Sequence, residues 1–96
     1  MTVNAIKITD KDNVATVMQH ISAGQAVCWS LSEKAVTAVS DIPFGHKIAV
    51  RSVSADELIY KYGEIIGEAT QNIPAGAHVH VLNIDSRRAR GDKNEL

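Results

Sequence analysis

One short pattern occurs four times in this sequence: an apolar residue, two small or turn-forming residues, a turn residue, two further residues and another apolar residue. The copies are residues 21–27, 42–48, 53–59 and 73–79. Pro at the second place presets φ for a type I turn, and Gly at the fourth place supplies the left-handed residue that follows. Asp56 replaces this glycine in the third copy, and Asp tolerates a left-handed backbone better than most residues. Each copy therefore predicts a tight corner.

Short segments rich in β-branched residues follow these corners. They cover residues 26–29, 47–51, 58–61 and 78–82, and two similar segments cover residues 35–39 and 65–67. Such segments, bounded by polar or glycine positions, are typical of short strands. Consecutive corners begin 11 to 21 residues apart, so no long helix fits between them. The pattern predicts a mostly β fold.

Residues 13–21 are the one ambiguous segment. Its apolar residues have the spacing i, i+3, i+4 and i+7, and they are Val14, Val17, Met18 and Ile21. This spacing, with Asp12 or Asn13 as a cap, indicates an amphipathic helix. The segment nevertheless leads into a corner, as the predicted strands do elsewhere. Periodicity alone leaves helix and strand open.

Length and composition suit one folded domain. The chain has 96 residues, of which 45% are hydrophobic and 22% are charged. This is the size of a single domain, with too many apolar residues for a disordered chain. We assign residues 1–84 to one domain. Residues 85–96 are nearly all polar and contain Arg87, Arg88 and Arg90, so we expect a solvated tail.

Charge and hydropathy exclude several classes of function. The formal net charge of −1 provides no overall positive field to attract nucleic acid or an anionic membrane. No apolar run approaches the ~20 residues that span a bilayer, and residues 1–12 lack the pattern of a secretion signal. The single cysteine, Cys28, has no partner for an internal disulfide, which suits a reducing compartment. We expect a cytoplasmic protein that binds neither nucleic acid nor membrane.

Two histidines are the first candidates for chemistry. His78 and His80 are two residues apart in a predicted strand, so both side chains leave from one face. Two imidazoles on one face can share a metal ion, bind an anion, or act as acid and base. The alternative is the ordinary polar face of a half-buried strand. A metal needs at least a third ligand, and no spacing in the sequence fixes one.

Basic residues near glycines are the second candidates. His46 and Lys47 follow a corner glycine, where their donors can reach a carboxylate or phosphate, although polar pairs beside turns are commonly hydrated. Lys61 and Tyr62 precede Gly63 between two predicted strands, and we expect the tyrosine to pack. The sequence contains no phosphate-loop pattern and no catalytic triad or carboxylate pair at a diagnostic spacing.

Three blocks carry a resemblance to a known family. They read IPFGHKIA at residues 42–49, IYKYGEIIGEAT at 59–70 and AGAHVHVLN at 75–83. In this order, they resemble the small N-terminal domain, or separate small subunit, of the altronate and galactarate dehydratases and their sulfolactate sulfo-lyase relatives. In that family the last block often has a further histidine, and Leu82 stands at that place here. This departure argues against a three-histidine metal site.

The resemblance implies a fold and a partner. The fold is a SAF-type β-clip of short strands and sharp corners, which favours a strand at residues 13–21. The family's enzymes remove water from sugar acids or sulfite from sulfolactate, and many depend on iron. Most of their catalytic machinery lies in a larger domain or subunit. We therefore expect an accessory subunit whose partner is a large catalytic subunit holding any Fe²⁺, with a sugar acid as substrate.

The resemblance also implies roles for particular residues. We expect His78 and His80 to be catalytic, and His46, Lys47, Lys61 and Asn83 to bind substrate. Metal ligands in this chain are left unassigned. The alternatives are a small subunit of sulfolactate sulfo-lyase, a stand-alone module that binds a carbohydrate acid, and a structural oligomerisation piece.

Overall fold

The computed structural model describes residues 2–31, 35–80 and 82–86, which form short antiparallel strands joined by turns. The strands are β1 (Ala5–Ile6), β2 (Val14–Val17), β3 (Ala26–Cys28), β4 (Ala35–Thr37), β5 (Lys47–Ala49), β6 (Leu58–Lys61), β7 (Glu64–Ala69), β8 (His78–Val79) and β9 (Ile84–Asp85). The prediction of a mostly β fold is confirmed. Its assignment to the β-clip class stays a prediction.

A four-stranded antiparallel sheet is the centre of the fold, with the strand order β1-β2-β5-β8. Its register places Thr16 opposite Lys47 and His78 opposite Ile48. Strands β3 and β4 form a separate hairpin, and β6, β7 and β9 form a three-stranded sheet. We call the β1-β2-β5-β8 sheet the central sheet.

Both faces of the central sheet are buried. Ala15 and Ile48 pack with Val27 of β3 in one core. Ala49, the next residue of β5, packs with Ile59 of β6 in a second core. Because neighbouring residues of a strand point to opposite faces, the two cores lie on the two sides of the central sheet.

The four predicted corners are present. Their left-handed residues are Gly24 with φ 88°, Gly45 with φ 83°, Asp56 with φ 74° and Gly76 with φ 88°. The apolar residues that begin the copies form two antiparallel bridges, Ile21 with Ile42 and Val53 with Ile73. The repeat therefore builds two pairs of facing corners.

The ambiguous segment is a strand. Residues 14, 15 and 17 of β2 are buried, whereas Met18 is 50% exposed, so of the two open alternatives the strand, which the resemblance favoured, is present at Val14–Val17. A strand that is buried on both faces is apolar along its whole length and loses the alternation that identifies strands in sequences. This is why periodicity did not decide between helix and strand.

Three buried asparagines form hydrogen bonds to backbone groups that have no neighbouring strand as partner. Each side-chain amide accepts a hydrogen bond from one backbone N–H and donates to the carbonyl two residues earlier, as a neighbouring strand would. The pairs are Asn4 with Cys28 N and Ala26 O, Asn13 with Tyr60 N and Leu58 O, and Asn83 with His80 N and His78 O. Strand β8 ends at Val79, and the next backbone N–H, that of His80, donates to the side chain of Asn83 and not to a neighbouring strand. The predicted strand over residues 78–82 is therefore shorter than expected.

Two sequence expectations are not tested. The domain boundary at residue 84 stays a prediction, and Arg87, Arg88 and Arg90 lie outside the described residues.

Within the described ranges, no helix has the length and apolar character needed to cross a lipid bilayer.

Asp12 fixes the tip of the β6-β7 hairpin. Asp12 is 3% exposed. Its carboxylate accepts hydrogen bonds from Gly63 N at 2.7 Å, Thr9 Oγ1 at 2.8 Å, Ile8 N at 3.1 Å and Thr9 N at 3.2 Å. Burial by itself raises the pKa of this carboxyl, but these donors outweigh burial and lower the pKa to about 2. The ionised form therefore stabilises the fold.

Gly76→Ala is expected to destabilise the fold by about 3 kcal/mol or more. The added Cβ would overlap the carbonyl oxygen of Thr37, at a residue with φ +88°. Gly24→Ala is the matched control, since Gly24 has the same φ and nothing within 4 Å of its added Cβ, and we expect a loss of about 1–2 kcal/mol. Urea unfolding at neutral pH measures both. Equal losses in the two variants would contradict the prediction.

Asp12→Asn is expected to lower the free energy of unfolding by about 2 kcal/mol at pH 7. The pKa of Asp12 is about 2 in the folded chain, against an ordinary value of 3.8 for this side chain. Its stabilisation is therefore complete above about pH 4 and is lost as the pH falls towards 2. Urea unfolding between pH 7 and pH 3 should show the wild type approaching the variant. Asp10→Asn, at an exposed neighbour, should show no such convergence.

Candidate functional site

The candidate residues gather at one end of the central sheet. Strand β5 begins here at Lys47, directly after the corner at Gly45. Strands β2 and β8 run antiparallel to β5, so both end here, at Val17 and Val79. The side chain of Tyr62, from the tip of the β6-β7 hairpin, extends towards this end, because its hydroxyl donates to Thr16 Oγ1. We call this end of the sheet the site edge.

Three histidines form a row at the site edge. His46 Nδ1 lies 2.9 Å from His78 Nε2, and the ring centroids of His78 and His80 are 4.5 Å apart. His46 is exposed, and the other two are half-buried. We call His46, His78 and His80 the histidine row. The sequence predicted the proximity of His78 and His80, and the fold adds His46.

Hydrogen bonds restrict the protons in the row. The 2.9 Å contact needs one donor and one acceptor, so His46 and His78 cannot both be imidazolium while it persists. His80 Nδ1 accepts from Leu82 N at 3.1 Å, which leaves Nε2 to carry the proton. Burial lowers the pKa of His78, and the nearby His80, His46 and Lys47 lower it further. The lowered pKa favours the neutral form of His78, which can accept a proton.

Asn83 supports this row from the backbone. Its amide donates to His78 O at 2.8 Å and accepts from His80 N at 2.9 Å, and the residue is 5% exposed. These bonds fix the segment that carries both imidazoles. Its expected contact with substrate stays a prediction, and the amide in this structure acts on the protein itself.

Lys47 belongs to the other face of the central sheet. It lies opposite Thr16 and Val79 in the register, whereas His78 lies opposite Ile48. Directly opposed residues share a face, so the histidine row and Lys47 leave the site edge on different sides. Burial lowers the pKa of Lys47, and the positive charge of Lys61 lowers it further.

Two hydroxyl residues accompany these lysines. Tyr62 donates to Thr16 Oγ1 at 3.0 Å, and Lys61 Nζ lies 5.2 Å from the centroid of the Tyr62 ring. We call Thr16, Lys47, Lys61 and Tyr62 the lysine–hydroxyl cluster. The sequence analysis selected only the lysines, because no spacing connects Thr16 with a hairpin more than forty residues later. Tyr62 was expected to pack, but it is 37% exposed.

The site edge also carries exposed apolar side chains. Phe44, two residues before His46, is 71% exposed, and Leu82, two residues after His80, is 78% exposed. Both lie beside the histidine row in the sequence. Large apolar side chains next to a polar cluster are common where a second protein binds.

The described residues do not form a metal centre by themselves. Among residues 2–31, 35–80 and 82–86, no group of three or more His, Cys, Asp or Glu side chains is placed to hold a metal ion. In the histidine row, three ring nitrogens are already engaged with a neighbouring ring or a backbone N–H. Leu82, at the place of a further family histidine, supplies no ligand. Iron therefore does not fit this part of the chain alone.

A depression in the surface elsewhere has an acidic lining, which is unsuited to an acid. It is lined by Asp56, Glu68, Ala69, Thr70 and Asp85. Three of these five residues are carboxylic acids, which repel a negatively charged substrate. The depression shares no residue with the site edge.

The chain is similar to part of two larger dehydratases. Altronate dehydratase of Bacillus subtilis is 39% identical over 79 residues, which cover 81% of this chain and 15% of the relative. Galactarate dehydratase (L-threo-forming) of Escherichia coli is 36% identical over 76 residues, 77% of this chain and 14% of the relative. The chain thus matches only a small part of each dehydratase.

A shorter relative is matched over most of its length. The (2R)-sulfolactate sulfo-lyase subunit alpha of Chromohalobacter salexigens is 38% identical over 76 residues, 75% of this chain and 81% of the subunit. The family model for the altronate/galactarate dehydratase SAF domain matches residues 3–87. The chain therefore belongs to the family of altronate/galactarate dehydratase SAF domains, as its three sequence blocks predicted.

Proposed function

We propose that this chain is the small accessory subunit of a sugar-acid dehydratase, and that its site edge completes the active site of a separate large catalytic subunit. The observation that carries this proposal is the histidine row: three imidazoles held together at an exposed edge. A large subunit that covers this edge would bury Phe44 and Leu82 together with the imidazoles.

Elimination of water requires the groups that the row contains. The reaction breaks the C–H bond next to the carboxylate and the C–O bond of the neighbouring carbon. A base takes the proton, and an acid protonates the departing hydroxyl, which leaves as water; the enol then becomes a keto acid. General acids and bases with a pKa near neutral serve this chemistry best. We assign His78 and His80 to proton transfer with the departing hydroxyl or to its orientation.

The remaining candidates bind the substrate. Lys47 and Lys61 provide positive charge for the substrate carboxylate. His46, hydrogen-bonded to His78, binds a substrate hydroxyl and sets the proton position on its neighbour. Asn83 contributes by fixing the backbone of the two catalytic histidines.

A partner explains why the candidate site is open. The histidine row lies at an exposed surface, whereas proton transfer benefits from a site that excludes water. The term "subunit alpha" in the sulfo-lyase relatives, of which this chain covers 81% and 85%, fits an enzyme assembled from different subunits. Iron, where the complete enzyme uses it, is assigned to the large subunit. We place the assembly in the cytoplasm.

Reconstitution tests this proposal. The isolated chain is expected to be inactive on altronate and galactarate, and a mixture with its large subunit should release the keto acid. Co-purification and a keto-acid assay measure assembly and activity. A large subunit that is fully active without this chain would overturn the proposal.

The sulfo-lyase function is the second candidate, because the chain matches most of the alpha subunit's length. The same mixture, supplied with sulfolactate, would then release sulfite instead. Sulfite release without keto-acid formation from either sugar acid would select this alternative. Binding of a sugar acid by the isolated chain, with no large subunit able to co-purify, would instead indicate a stand-alone module.

His78→Ala and His80→Ala are each expected to lower kcat of the reconstituted enzyme by about 100-fold or more. Co-purification with the large subunit should persist, since both side chains are only half-buried. The matched control is His20→Ala, at an exposed histidine outside the row, which should keep full activity. Unchanged activity in both row variants would indicate a purely structural subunit.

A further inference from the structure

Lys47 and Lys61 act on each other electrostatically, and neither forms an ion pair with an acid of the described residues. Among the described residues, the one ion pair is Arg51 with Glu57. Glu64 lies opposite Lys61 in the hairpin register, but the two form no ion pair within the described ranges. Lys47 is half-buried, so water compensates its charge only partly. An anion at this position would be stabilised by both ammonium groups.

The lysine–hydroxyl cluster also contains a hydroxyl that can donate a hydrogen bond to an anion. Thr16 Oγ1 accepts a hydrogen bond from the Tyr62 hydroxyl at 3.0 Å. The hydroxyl proton of Thr16 therefore remains available for a hydrogen bond to another acceptor. A hydroxyl that accepts one hydrogen bond becomes a better donor for the next. The cluster therefore presents positive charge and a polarised hydroxyl pair together.

The backbone at Tyr62 is unusual for a residue chosen only for folding. Tyr62 and Gly63 form the two-residue turn between β6 and β7, with φ 55° and φ 81°. Two positive φ values identify a turn that favours Asn-Gly or Gly-Gly, and bulky side chains are disfavoured at its first position. The hydrogen bond from Gly63 N to Asp12 at 2.7 Å holds this strained turn in place. Strain that the surrounding structure maintains points to a role for the side chain.

We propose that the lysine–hydroxyl cluster is a binding site for an α-hydroxy carboxylate. The two ammonium groups bind the carboxylate, and the Thr16–Tyr62 pair hydrogen-bonds the adjacent hydroxyl. The choice of a hydroxy acid over other anions rests on the proposed function, but binding itself requires no partner subunit. Thr16 and Tyr62 are thus the residues that distinguish a hydroxy acid from a plain acid.

Titration of the full chain with three probes tests the site. The probes are galactarate, adipate, which is a six-carbon diacid without hydroxyls, and inorganic phosphate, each followed by amide chemical shifts at constant ionic strength. Galactarate is expected to bind saturably, shift residues 16, 47 and 61–63, and bind at least 5-fold more tightly than adipate. Phosphate binding as tight as galactarate binding would show a general anion site and overturn the hydroxy-acid assignment.

Variants separate the contributions. Tyr62→Phe should weaken galactarate about 5- to 10-fold and leave adipate unchanged, whereas Lys47→Met and Lys61→Met should weaken both acids. Lys11→Met is the control, because Lys11 lies over Tyr60 rather than in the cluster. Equal galactarate binding by the Tyr62→Phe variant and the wild type, or no saturable binding by the wild type, would overturn the proposal.

A stability measurement distinguishes a binding role from a structural one. Tyr62→Asn introduces a residue that the turn prefers, so its melting temperature should equal or exceed that of the wild type while galactarate binding weakens. A lower melting temperature together with unchanged binding would show that Tyr62 serves folding. These readouts require no lyase activity. Specific galactarate binding by the chain, together with an inactive reconstituted complex, would therefore contradict the proposed function and still support this binding site.

Discussion

The close approach of Gly76 to the end of β4 is the contact on which the site geometry depends. Val39 N donates to Gly76 O at 3.0 Å, and Gly76 N donates to Ala49 O at 2.8 Å. One residue thus joins the β3-β4 hairpin to the central sheet, two positions before His78. Since a Cβ at this position would overlap Thr37, only glycine lets the chain turn here without moving a strand. The position of the histidine row follows from this corner.

Side-chain amides then complete what such short strands lack. A strand of two residues has few ladder hydrogen bonds, and its continuing backbone groups would be costly to bury without partners. Asn83 satisfies two of them at His78 and His80. Asn4 and Asn13 do the same beside β3 and β6. The buried amide of Asn83 at the site edge is therefore explained by its hydrogen bonds to the backbone, without a ligand.

The local geometry was predictable from the sequence, and the long-range geometry was not. The Pro, Gly and Asp positions predicted all four corners because backbone sterics at one residue decide them. The spacing of His78 and His80 predicted their common side. Their contact with His46, and that of Thr16 with Tyr62, depends on which strands pair across 32 and 46 residues. No residue spacing encodes such pairing. Strand β2 was also not identified as a strand from periodicity, because it is buried on both faces and lacks the alternation of apolar and polar residues.

The opposite placement of the two clusters bears on how the chain would work. The two clusters leave the end of the central sheet on different sides, yet the charge of Lys47 still lowers the pKa of His78. A substrate that lies across the end of the sheet would meet both, with its carboxylate near Lys47 and the departing hydroxyl of the β-carbon near His78. The arrangement of the site edge therefore fits an acid that is bound at the end of the central sheet, and not one that lies on a single face of it.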